Sequence, residues 1–338
     1  MDSFELLKTL CGPDGLSGKE GAVREAALSA VSTCAPPEVT PLGSLLLPIK
    51  RIPGAKEHIL LDAHIDQIGM VVTGITEEGF LRVNAVGGLD TRTLPAATLT
   101  VYGKKPLPGV ICSVPPHVSS GESGFPKVEE LAVDVGLSKA EAEEVISLGD
   151  YAAFDAPLAR LLGKRVTGRA LDNRAGAAAV LLAANALFEK ELPFDLTVLL
   201  SSMEEVGLQG ARTGAFSAQP TKAIVVDVSF GLTPELRPTQ GGKVDGGPML
   251  CISPILDRDL FEKLRQVAKE EAIDCQVEVM GGTTGTNADA ITLTRGGVKT
   301  ALVSVPLKYM HTPVEVIDLS DIEATAALIA AYLERQGR

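Results

Sequence analysis

The stretch LTVLLSSMEEVGLQGA, residues 196–211, decides how the chain reads. Its apolar run from Leu196 to Leu200 has the length and composition of a buried strand. The run leads into two adjacent carboxylates, Glu204 and Glu205, followed by Val206 and Gly207. Two like charges side by side repel unless a positive charge lies between them or one holds a proton. Either the rest of the sequence supplies that charge, or the pair is a solvated turn.

The same pattern recurs outward from this stretch. EHILLDAHID (57–66) delivers His64 and Asp66, VTGRALDN (166–173) delivers Asp172, and KAIVVDVS (222–229) delivers Asp227. KTALVSVPLKYMH (299–311) delivers Tyr309 and His311. Helical patterns alternate with these runs: GKEGAVREAALSAVS (18–32), the Ala-rich LDNRAGAAAVLLAANALFEK (171–190) opening at Asp172, DRDLFEKLRQVAKEEA (257–272) and DLSDIEATAALIAAYLERQ (318–336). Strand and helix alternation of this kind predicts an α/β sheet covered on both faces. Residues 67–158 differ. MVVTGITEEGFLRVNAVGG (70–88), TLTVYGK (98–104) and LPGVICSVPPHV (107–118) are short alternating segments broken by Gly and Pro, and SKAEAEEVISLGD (138–150) is a short helix. That texture predicts a small β-rich or barrel-like domain, inserted into an α/β domain made of residues 1–66 and 159–338.

Composition bounds the function. The chain has 338 residues, 45% of them hydrophobic, enough for a large core and two domains. A formal charge of −12 with no basic block argues against nucleic acid or an anionic membrane as partner. The start MDSFELLKTLCG lacks the basic flank and apolar core of a signal peptide, and no apolar run approaches the roughly 18 residues that span a bilayer. Five cysteines, at 11, 34, 112, 251 and 275, form no C-x-x-C pair. They read as reduced thiols of a cytoplasmic protein, not as a zinc-thiolate site.

In open α/β sheets, ligands bind at the carboxyl ends of the strands, so each run aims an acid or a His at one edge. Oxygen and imidazole donors without Cys suit zinc, cobalt or manganese. Each residue has a plainer reading when taken alone. Asp172 is a helix N-cap, Asp227 begins an Asx turn, either His is a hydrogen-bonded structural residue, and the glutamates are a solvated turn. Five strand ends carrying five ligand-type residues favour a metal hydrolase over an ion-pair network.

The motifs AHIDQIGMVV, GRALDNRAG, EEVGLQGA, VVDVSFG and YMHTPVEVIDLSDIE, in that order, resemble those of the cocatalytic dimetal aminopeptidases that include the tetrahedral (TET) aminopeptidases and bacterial glutamyl aminopeptidase, some once labelled cellulases or endoglucanases. DGLSGKE, PLGSLL and GVICSVPPH extend the resemblance over nearly the whole chain. It implies a mixed-sheet α/β/α metallopeptidase domain, an inserted β-barrel-like domain used in assembly, and a tetrahedral dodecamer. It implies two divalent ions per subunit, zinc before cobalt or manganese: one held by His64 and Asp227, the other by Glu205 and His311, with Asp172 bridging. Glu204 is then the general base, and Asp66 the acid that orients His64. Four positive charges from the ions meet three ligand carboxylates and one hydroxide. The implied substrate is a peptide with a free N-terminus. Two departures stand out: Asn287 in GGTTGTNADAI, where many relatives have Asp, and Ser202-Met203 before the glutamates. A related dimetal deacylase or carboxypeptidase, or a glycosidase as in the old labels, is the alternative; a glycosidase needs two carboxylates and no metal.

Overall fold

The strand Asp195–Ser201, which carries the opening stretch, lies inside an eight-stranded mixed sheet. The architecture is that of a computed structural model describing residues 2–114 and 126–336. Across the sheet the order is Glu38–Val39, Leu45–Lys50, Asp195–Ser201, His58–His64, Lys222–Phe230, Lys299–Leu307, Met249–Ile252 and Gln276–Val279. The four central strands are mutually parallel. They are the four β-branched, apolar runs of the sequence, as expected for strands buried on both faces.

Side-chain alternation gives the two faces different jobs. Ile59, Leu61, Ala63, Val198, Leu200, Ile224, Val226, Val303 and Val305 join one large core with the helices Ser3–Cys11, Leu171–Leu187, Arg258–Glu270 and Leu319–Gln336. On the opposite face, Leu60, Leu199, Val225 and Leu302 pack on Ala211, Ala215, Ala288 and Ile291 of the helices Gln209–Ala218 and Asn287–Ile291. Two to four residues further along the same strands, that second face becomes polar: His64, Ser201, Asp227, Ser229 and Ser304. With a side-chain period of two, the residues that pack the core at one end of a strand fix which residues face the site at the other.

The β-rich segment forms a closed barrel of six antiparallel strands between Gly69 and Phe154. It has its own core, with Met70, Val72, Leu81, Val83, Leu99, Val101 and Val133 among its members. The end of the motif GVICSVPPH, residues 115–117, lies outside the described residues.

Two expectations about Asp172 are corrected. The run delivering Asp172 is not a strand of the main sheet. Arg165–Gly168 belongs to a separate three-stranded sheet, between Ala159–Arg160 and Glu315–Asp318. Nor does Asp172 cap the Ala-rich helix. The helix spans Leu171–Leu187, but Asp172 and Asn173 have non-helical backbone and share a cis peptide bond. The cap is Asn173, whose Oδ1 accepts the N–H of Gly176 at 3.1 Å while its Nδ2 donates to the carbonyl of Val226 at 2.8 Å. Asp172 is thereby left free to face the sheet edge.

Candidate metal centre

Two groups of three donors meet at this edge and share one residue. His64, Asp172 and Asp227 form the first; Asp172, Glu205 and His311 form the second. Asp172 faces one group with each oxygen. Its Oδ1 lies 3.2 Å from Nε2 of His64, and its Oδ2 lies 3.5 Å from Nε2 of His311. His64 Nε2 is 3.7 Å from Oδ1 of Asp227, and His311 Nε2 is 3.5 Å from Oε2 of Glu205. Bonds of about 2.0–2.1 Å in a tetrahedral site would set ligand atoms roughly 3.3–3.4 Å apart. The donor spacing and the carboxylate/imidazole chemistry therefore suit zinc-sized divalent ions on both sides of Asp172. A third group, His64 with Glu204 and Glu205, is also close enough to hold an ion.

Local structure explains each placement. The carboxylate of Asp66, fully buried, accepts the hydroxyl of Ser17 at 2.6 Å and the backbone N–H groups of Glu204 at 3.0 Å and Glu205 at 3.2 Å. Nδ1 of His64 faces the Asp66 carbonyl at 3.3 Å and its Oδ1 at 3.5 Å. A proton on Nδ1 would leave the Nε2 lone pair aimed at the shared site. Glu20, also buried, accepts the N–H of Met203 at 3.2 Å, and Met203 itself adopts φ 54°. The turn bearing the paired glutamates is thus pinned from two sides through its backbone N–H groups.

The charges are severe. Burial pushes Glu205 and Asp227 well above the usual carboxylate range, and the charge of Asp172 adds to this for Glu205, that of Glu204 for Asp227. Burial likewise raises Glu204, to about 7. Burial alone would depress His64, but the charges of Glu204, Asp172, Asp66 and Asp227 outweigh it and hold its pKa well above normal. Asp66 moves the other way: burial opposes its ionisation, yet His64, Ser17 and the Glu204 N–H keep it below its ordinary value.

Every one of the seven residues singled out, His64, Asp66, Asp172, Glu204, Glu205, Asp227 and His311, lies at this edge. Asp227 sits within its strand, three residues before the end, and its Oδ1 accepts the next N–H, of Val228, at 2.8 Å; it opens no Asx turn. Tyr309 is half-exposed, and it is Met310 and His311 that line the cavity.

Three contributions have roles that motif reading does not show. Glu315, buried, accepts the N–H of Asp172 at 3.0 Å, tying the start of the Ala-rich helix to the strand Glu315–Asp318. Gly87 and Gly88 bring the barrel against the site. A Cβ on Gly88 would stand 2.8 Å from Nδ1 of His311, and one on Gly87 3.2 Å from Cβ of Glu205. Asn287 donates from Nδ2 to Asp62 Oδ2 at 2.9 Å and to Ser201 Oγ at 2.7 Å, behind His64. Asp62 is itself fully buried, and burial lifts its pKa to about 7. An Asp at 287 would set a second carboxylate against it, so the amide is the form that suits this interior.

The sequence profile described as M42 glutamyl aminopeptidase matches residues 43–328. A putative aminopeptidase of Acetivibrio thermocellus is 35% identical over 334 residues, 97% of each chain. A lysyl aminopeptidase of Pyrococcus furiosus is 32% identical, with 99% of this chain and 97% of that one aligned. Among solved structures, the TET1 peptidase of Pyrococcus horikoshii, reported to assemble into a tetrahedron or a large octahedral shell, superposes with a TM-score of 0.85 at 34% identity, over 98% of this chain and 99% of the other.

Proposed function

This chain belongs to the M42 glutamyl aminopeptidase family and is a metal-dependent aminopeptidase, and from that premise we propose how its residues divide the work. His64 and Asp227 hold one divalent ion, Glu205 and His311 hold a second, and Asp172 bridges them. Asp172 carries this reading, because each of its oxygens faces a different His. Two zinc ions, with cobalt or manganese as substitutes, would supply Lewis acidity toward the scissile carbonyl and an acidified water. Glu204 stands in neither group that contains Asp172. It serves as general base, taking the proton of the attacking water and returning it to the leaving amine. Asp66 positions both His64 and the backbone of the glutamate turn.

The substrate is a peptide with a free α-amino group. Hydrolysis of aminoacyl-p-nitroanilides is expected with added zinc, cobalt or manganese, to be abolished by a chelator, and to fail on N-acetylated analogues. Activity that survived chelation would return the reading to a metal-free hydrolase, and activity only on blocked substrates would point to a deacylase.

Assembly is part of the proposal. The barrel, within an inserted domain of residues 67–158, exposes Val110, Val114 and Leu148, and the P. horikoshii relative forms closed shells. A homo-oligomer, in the form of a tetrahedral dodecamer, is expected by light scattering; a stable monomer at micromolar concentration would remove the assembly role. Its five free cysteines support a reducing, cytoplasmic setting.

A further inference from the structure

The side chain of a substrate's first residue must occupy the part of the cavity beyond the metal ligands. That cavity, about 490 Å³, continues along Ser229, Phe230, Met280, Thr284 and Ser304. No Lys or Arg lines it among the described residues. Behind the two serines lies Glu278, on the outermost strand Gln276–Val279. One carboxylate oxygen accepts the hydroxyl of Ser229, and the other that of Ser304 at 3.5 Å. Alternation explains the placement. Glu278 pairs with Cys251, a member of the second-face core, and Met280, two residues on, packs on that same core. Glu278 therefore points across the face that bears Asp227, and Ser304 is the register partner of Asp227.

Glu278 is partly buried, and that burial raises its pKa. Two neutral hydroxyls are its polar partners, and no cationic side chain pairs with it among the described residues. A desolvated carboxylate in this setting lacks the countercharge that ordinarily offsets its burial.

We infer that Glu278, standing behind Ser229 and Ser304, is the specificity-determining residue of this cavity and selects a cationic side chain, Lys or Arg, at the substrate's N-terminus. The aliphatic stem would lie along Phe230 and Met280 while the charged head reached the carboxylate. An acidic side chain would meet Glu278 with no cation to receive it. This rests on the aminopeptidase reading.

The test is kcat/KM of the full-length, metal-loaded protein on Lys-, Arg-, Leu- and Glu-p-nitroanilide. Lys and Arg are expected to lead and Glu to be last. Glu278→Gln is expected to lower the Lys-to-Leu ratio of kcat/KM by about 10- to 100-fold, the worth of a hydrogen bond to a charged group. An unchanged ratio would overturn the inference. So would a wild-type preference for Leu or Glu, which decides the matter even if the variant does not fold. Turnover of none of the four would instead count against the aminopeptidase reading itself.

Discussion

Glu204→Gln is expected to keep both ions and lose turnover, whereas Glu205→Gln is expected to lose metal. The two changes are chemically identical and one residue apart, so any difference between them reports on position alone. Glu205 faces His311 Nε2 at 3.5 Å and shares a donor group with Asp172. Removing its charge takes a ligand from one ion, so metal content should fall and excess metal should partly restore activity. Glu204 lies 4.0 Å from His64 Nε2 and outside both groups that contain Asp172. Its amide should spare the ions and lower kcat by about 10²- to 10⁴-fold, the usual contribution of a positioned general base. Both backbone N–H groups stay on Asp66 in either variant, so the turn itself should survive. Elemental analysis and turnover on the purified variants decide. Metal lost from Glu204→Gln and kept by Glu205→Gln would exchange the roles, as the third donor group of His64, Glu204 and Glu205 allows. Two fully active variants would end the dimetal account of this turn.

What the sequence makes legible follows from which contacts are local. KTALVSVPL is the strand Lys299–Leu307 residue for residue, because a strand buried on both faces reads as a largely apolar, β-branched run. The ligand-type residues after or within such runs are equally visible. The small sheet behind Asp172 is not. Arg165–Gly168 is four residues long and pairs with Glu315–Asp318, about 150 positions away, and no local period announces a partner that distant. The same distance hides Glu315, although it stands four residues after His311 in a quoted motif, since nothing nearby shows that it accepts the N–H of Asp172. Gly87 and Gly88 read as loop punctuation, and their reason lies in side chains of the other domain. Glu278 sits in QVEV between exposed valines, the pattern of an ordinary edge strand, and only the fold reveals that it stands behind Ser229 and Ser304, which line the cavity.

Asp172→Asn is expected to abolish activity without unfolding the chain, and the physical reasons for the two halves are separate. The fold should persist because the helix is capped by Asn173, and because the N–H of residue 172 reaches Glu315 from the backbone whatever the side chain. The change also removes one of several carboxylates whose charges raise the pKa of Glu205, Asp227 and Glu315. The metal-free variant should therefore melt no lower than the metal-free wild type. Binding should fail because an amide offers one good acceptor oxygen where the reading requires two, one toward His64 and one toward His311. A ligand that binds only the folded state raises its stability by RT ln(1 + [L]/Kd), so zinc should raise the wild-type melting temperature and raise that of the variant much less. Elemental analysis should give fewer than two ions per chain. A variant that retained two ions, with the wild-type zinc-dependent rise in melting temperature, would show that Asp172 does not bridge, and each ion would then need another carboxylate, with Glu204 the nearest candidate.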